Sequence, residues 1–78
     1  MKRSQSQFSR MLELDRRIRR GKYPNCLTFA KQWEVSQKTI QRDIEYMTYV
    51  LGAPIAYDRV KKGYHYTDAN WFLPAMNL

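Results

Sequence analysis

Between residues 36 and 42 the chain gathers Ser36, Gln37, Lys38, Thr39, Gln41 and Arg42. Gln37 and Gln41 are of the type that pairs bidentately with adenine, and Lys38 and Arg42 of the type that takes guanine or grips a phosphate. Such groups act together only if a scaffold presents them together. Ile40, Ile44, Met47 and Leu51 recur at i, i+4, i+7 and i+11, the spacing of one helix face. Lys38, Arg42, Glu45 and Tyr49 fall opposite, with Gln41 on the flank. Ser36 suits an N-cap, since its hydroxyl can accept from an orphan amide of the first turn. Gly52 and Pro54 stop the run. A helix over 36–51 is therefore predicted, apolar behind and polar on its first two turns. A solvated surface helix has the same pattern, so the neighbouring elements must decide.

The 78 residues suffice for one small domain with one core. A domain of this size hides only about 60–65% of its unfolded surface, so its packing must be dense. Six Tyr, three Phe, two Trp and four Met can supply that. The formal charge of +7 favours a polyanionic partner, nucleic acid before an anionic membrane. Cys26 is the single cysteine, so an internal disulfide and a cysteine-based metal cluster are both excluded, and a reducing compartment is the natural setting. Met1-Lys2-Arg3 is followed by SQSQFSR and not by an apolar run, which rejects a signal peptide. No stretch reaches the ~18–20 apolar residues of a membrane span.

Residues 1–5 are basic and polar, and fraying is expected there. A first helix is predicted from about Ser6 to Arg20. Phe8, Met11, Leu12 and Ile18 share its apolar face, Asp15 intrudes on that stripe, and Leu14 lies off it. Arg10, Arg16, Arg17, Arg19 and Arg20 cover much of the rest, and Gly21 caps the end. The arginines suit either a solvated end that complements the helix dipole or a phosphate contact. A membrane-surface helix is disfavoured by the narrow apolar face. Lys22 to Asn25 form a turn. A second helix begins near Asn25 or Thr28 and ends at Trp33 or Glu34, with Phe29, Ala30 and Trp33 inward. The connection to the helix over 36–51 is too short for antiparallel packing, so the two must cross steeply as a helix-turn-helix. Ala30 permits close approach and Val35 plugs the corner. The tight turn has no glycine, so Glu34 or a neighbour must adopt it.

Beyond Gly52-Ala53-Pro54 the period changes. Ile55 to Tyr57 and Tyr64 to Thr67 are β-prone, and Asp58-Arg59-Val60-Lys61-Lys62-Gly63 between them is turn-rich and basic. This predicts a hairpin with a cationic tip. Placed after a helix-turn-helix it is a wing, whose Arg59, Lys61 and Lys62 can reach phosphates or a minor groove; an ordinary exposed tip with solubilising lysines is the alternative. The fold expected is mainly α with a small β-hairpin, a winged helix-turn-helix over 1–67, followed at 68–78 by an extension or linker.

The runs VSQKTIQRDIEYM, LGAPIAYDRVKKGYHYTD and FLPAMNL closely resemble the N-terminal domain of WYL-domain transcriptional regulators, relatives of the DeoR-type winged helices. Upstream IRRGKYPN matches the same pattern, so the resemblance covers roughly residues 8–78. Its most specific parts are Thr39-Ile40-x-Arg42-Asp43-Ile44 and the LGAPIAYD…GYHYTD wing. It implies a DNA-binding domain of a bacterial-type transcriptional regulator. In a longer chain a WYL domain that senses a ligand or nucleic acid would follow; this sequence is either an excised domain or a natural short form.

The expected activity is sequence-specific binding of double-stranded DNA in the cytoplasm, at the nucleoid, with Ser36, Gln37, Lys38, Thr39, Gln41 and Arg42 on the recognition helix and Arg59, Lys61, Lys62 and His65 on the wing. A homodimer would read two half-sites about one DNA turn, ~10 bp, or a multiple apart. Capping is the safer role for Ser36, and an ion pair between Asp43 and a nearby arginine competes with contact by the helix. His65, the single histidine, is a wing-strand residue and not a metal ligand. One His, one Cys and no Gly-rich phosphate loop offer no catalytic pair, metal cage or cofactor site, so an enzyme is not expected. The alternative function is a winged-helix protein-interaction module without DNA binding. Trp71, Phe72 and Leu73 form a C-terminal apolar cluster that wants cover, and a second copy or a further domain is favoured over the chain's own first helix.

Overall fold

The computed structural model describes residues 6–74. The expectations for residues 1–5 and for the end of FLPAMNL past Pro74 lie outside these. Three helices, α1 (Gln7–Arg19), α2 (Cys26–Trp33) and α3 (Gln37–Tyr49), precede two strands, β1 (Ile55–Asp58) and β2 (Gly63–Tyr66). The strands pair antiparallel with Ile55 opposite Tyr66 and Asp58 opposite Gly63. This is the winged helix-turn-helix expected.

Each helix starts on a side-chain cap. The Ser6 hydroxyl accepts from the Ser9 amide at 3.1 Å, the Asn25 carbonyl oxygen from the Thr28 amide at 2.9 Å, and the Ser36 hydroxyl from the Thr39 amide at 3.1 Å. The sharp turn between α2 and α3 falls on Glu34, which takes the left-handed conformation at φ 58°. A non-glycine residue there costs about 1–2 kcal/mol. The burial of Phe29, Ala30 and Trp33 against Ile40 and Ile44 offsets it, since each large apolar side chain contributes roughly 1.5–3 kcal/mol. Met11, Leu14, Met47, Ala53 and Leu73 complete the same core.

The buried face of α1 differs from the apolar stripe expected for it. Leu14 is fully buried, while Phe8 is 48% exposed. The inward residues are Arg10, Met11, Leu14, Asp15 and Ile18. Two of them are charged, and both are neutralised within the fold. Arg10 is not on the outer face, because its guanidinium grips the buried Asp43 carboxylate of α3 through Nε and, at 3.2 Å, Nη2. Gln7 donates to the same carboxylate at 3.4 Å. Asp15 accepts from the Tyr66 hydroxyl at 2.6 Å and pairs with Arg19 at 3.1 Å. Relative to the expected stripe, the buried face keeps Met11, Asp15 and Ile18, takes in Leu14 and leaves Phe8 out.

The C-terminal cluster also departs from expectation. Leu73 is fully buried in the core of its own chain. Trp71 packs beside Tyr66 with ring centroids 5.3 Å apart. Arg19 holds this return segment by donating to the Trp71 carbonyl and lying 4.6 Å over the Phe72 ring. The cluster thus covers α1 and β2 of its own chain, and Phe72 alone of the three stays exposed. The core accordingly continues past residue 67.

Candidate nucleic-acid interface

Helix α3 presents two unlike faces. Ile40, Asp43, Ile44 and Met47 are buried, while Gln37, Lys38, Gln41 and Arg42 are exposed. None of those four exposed side chains is paired with a described residue. Asp43, the carboxylate beside Arg42 in sequence, turns inward to Arg10, which leaves the Arg42 guanidinium to solvent. Ser36 and Thr39 behave differently. Their hydroxyls lie 3.0 Å apart, and Ser36 also caps the helix. Both are thus spent on starting α3, with exposed edges left for a partner.

The wing is held at both ends. At its tip, the Asp58 carboxylate accepts from the Val60 and Lys61 amides, each at 2.8 Å. Those bonds, the Lys61 amide foremost, keep its carboxyl below the usual carboxylate range. At the root, the Thr67 amide donates to the Pro54 carbonyl at 2.8 Å, and at the start of β2, next to the tip, the Tyr64 amide donates to the Pro24 carbonyl at 2.8 Å. Gly63 packs so tightly there that a Cβ would fall 1.9 Å from the Tyr23 carbonyl oxygen. Glycine is therefore required at the start of β2, and the hairpin is clamped there to the connection before α2.

This clamp brings the wing to the start of α3. A surface concavity of about 350 Å³ is lined by Gln37 of α3, by Tyr57, Lys62 and Tyr64 of the hairpin, and by Asn25, Cys26 and Leu27 at the head of α2. Sequence reasoning missed Tyr57, Leu27 and Asn25, which border the same surface. Tyr57 is half exposed and meets Tyr64 edge-on at 5.1 Å. Its signal was the alternation of strand β1, which needs the strand register to become visible. Burial pushes the Cys26 thiol up from its ordinary value and does the same to the Tyr64 phenol, so both are neutral near pH 7.

Arg59 and Lys62 are exposed on the wing with no described partner, while Lys61 lies 5.4 Å over the Tyr23 ring. His65 shares the Tyr23 ring with Lys61 and lies on the other face of the hairpin from Tyr64. Adjacent strand residues point to opposite faces, and His65 packs against Tyr23 at 5.8 Å, away from the Tyr57–Tyr64 pair. It lines a different concavity, with Ile18, Arg19 and Tyr66. Among the described residues no group of three or more His, Cys, Asp or Glu could hold a metal ion, and no helix is long and apolar enough to cross a membrane. Comparison with protein-family models, with curated proteins and with solved structures finds no match to this chain.

Proposed function

We propose that the chain binds double-stranded DNA sequence-specifically, as the DNA-binding domain of a transcriptional regulator. Helix α3 enters the major groove, and the wing lies along the adjoining backbone or minor groove. The observation that carries this reading is the set of unpaired donors on one exposed surface. Gln37, Lys38, Gln41 and Arg42 lack internal partners, and the clamped hairpin brings Lys62 beside Gln37. Lys38 and Arg42 supply charge to phosphate or guanine, and Gln37 and Gln41 supply paired donor and acceptor groups to base edges. Arg59 and Lys62 add phosphate contacts, with Lys61 behind them. His65 stands beside Tyr23 and Lys61, on the other face of the hairpin from Tyr57 and Tyr64. The resemblance to WYL-domain regulators supports the same reading, and with it a WYL domain in a longer chain; a homodimer reading two half-sites belongs to the same proposal.

Selection of bound duplexes from a randomised pool tests it. A motif should be enriched, and Gln37→Ala or Gln41→Ala should relax it at one or two positions, at about 1–3 kcal/mol for each lost base contact. A pool that stays random while the protein binds would refute base reading. A folded protein that retains no duplex would refute DNA binding and favour the protein-interaction module.

A further inference from the structure

Four basic residues outside α3 and the wing gather at, and just after, the end of α1. Arg16, Arg17, Arg20 and Lys22 line one surface concavity. Glu13 holds Arg16 and Arg17 and offsets one of those charges. Arg20 and Lys22 are exposed, and their side chains are paired with no described residue. A second concavity shares Arg17 and Lys22 with the first and continues to Asn25 and Thr28. The concavity that reaches Gln37 and Lys62 also includes Asn25. Shared lining residues set the three side by side, and together they trace one surface path, or channel. It runs from the end of α1, across the head of α2, to the start of α3 and the wing. The first amides of α2, apart from the Thr28 amide that Asn25 caps, have no helical acceptor and sit at the positive end of its dipole, which adds to the anion-attracting character of the middle stretch.

We propose that this channel is a second phosphate track, which carries the backbone of the same duplex beyond the segment under α3 and the wing. The inference rests on the DNA-binding reading above. An acidic protein segment would meet the same cations. The duplex is favoured because the channel is continuous with the α3 and wing surface at Gln37 and Lys62, so one polyanion spans both. The consequence is a footprint longer than one major-groove contact, with added affinity that is insensitive to sequence.

The test is fluorescence-anisotropy titration of a random-sequence duplex of about 24 bp across a salt series. It compares the wild-type chain with Arg20→Ala/Lys22→Ala and with Lys31→Ala, a control at an exposed α2 cation outside the channel. The double variant removes no internal contact, and thermal melting followed by circular dichroism checks that it folds. Its slope of log affinity against log salt should be shallower by about two, with a loss on the order of tens-fold at 0.1 M salt, while Lys31→Ala matches wild type. Restoring charge with Arg20→Lys/Lys22→Arg should restore the slope. A wild-type slope in the double variant, beside a reduced slope in Arg42→Ala, would overturn the track and leave the α3 reading standing. A folded wild-type chain that binds no duplex would overturn both.

Discussion

Arg10, Arg16, Arg17 and Arg19 of α1 are all engaged within the fold, whereas Lys38 and Arg42 of α3 and Arg59 and Lys62 of the wing have no described partner. Sequence order explains much of this contrast. On α1 the acids come first: Glu13 precedes Arg16 and Arg17, and Asp15 precedes Arg19, the favourable orientation for pairs at i+3 and i+4. On α3 the order is reversed, with Arg42 before Glu45, and no ion pair forms between them. Asp43 adds a second difference, because it is buried and committed to Arg10. A basic helix is therefore not evidence of a binding face by itself. What matters is which cations remain after the fold has used its acids.

The largest effect that could break this contrast is Asp43→Ala. It would leave Arg10 buried without its counter-ion and should cost about 3–5 kcal/mol in urea unfolding. That is a large part of the ~4–12 kcal/mol that a chain of this size has. Replacing both partners, as Arg10→Met with Asp43→Leu, should recover most of the loss. If Asp43→Ala were as stable as wild type, the pair would not be a structural element. Arg42→Ala should do the reverse, with stability within about 0.5 kcal/mol of wild type and duplex affinity reduced about ten-fold or more in low salt.

Tyr66→Phe sharpens the α1 side of the comparison. Losing the hydroxyl that donates to the buried Asp15 should cost about 1–3 kcal/mol. Burial first, and then the Asp15 carboxylate, push the Tyr66 phenol far above its ordinary value. The folded state thus keeps this proton after the unfolded chain begins to lose it near pH 10, as tyrosine ordinarily does. Its contribution is full below that pH and falls as pH rises above it. Urea unfolding between about pH 9 and 11 should accordingly show a steeper decline for wild type than for Tyr66→Phe. The smallest of these effects is expected at Ser36→Ala, about 1 kcal/mol of stability from the lost cap.

The elements were legible in the sequence because their signals are local. Ser36, Gly52 and the apolar spacing from Ile40 to Leu51 define α3, and Glu34 takes the turn for want of a glycine. The α1 face was only partly legible, since a stripe through Phe8, Met11, Leu12 and Ile18 leaves out Leu14 and gives no reason to bury the charges of Arg10 and Asp15. Those two become inward residues only when Asp43 and Tyr66, distant in sequence, arrive as partners. The return of Trp71 and Leu73 depends likewise on Arg19 and Tyr66 being in place. For the candidate interface, residue types on α3 were visible. The convergence of Gln37 and Lys62 on one concavity, and the place of His65 on another, follow from the strand register and from the close approach of Gly63 to Tyr23.

The most direct test of the central claim is the salt dependence of duplex binding by the folded chain, measured by fluorescence anisotropy beside Arg42→Ala and Lys62→Ala. Wild-type affinity should fall steeply with salt, and the slope should be shallower by about one for each variant. Absent or salt-insensitive binding, or slopes unchanged by both substitutions, would contradict that claim.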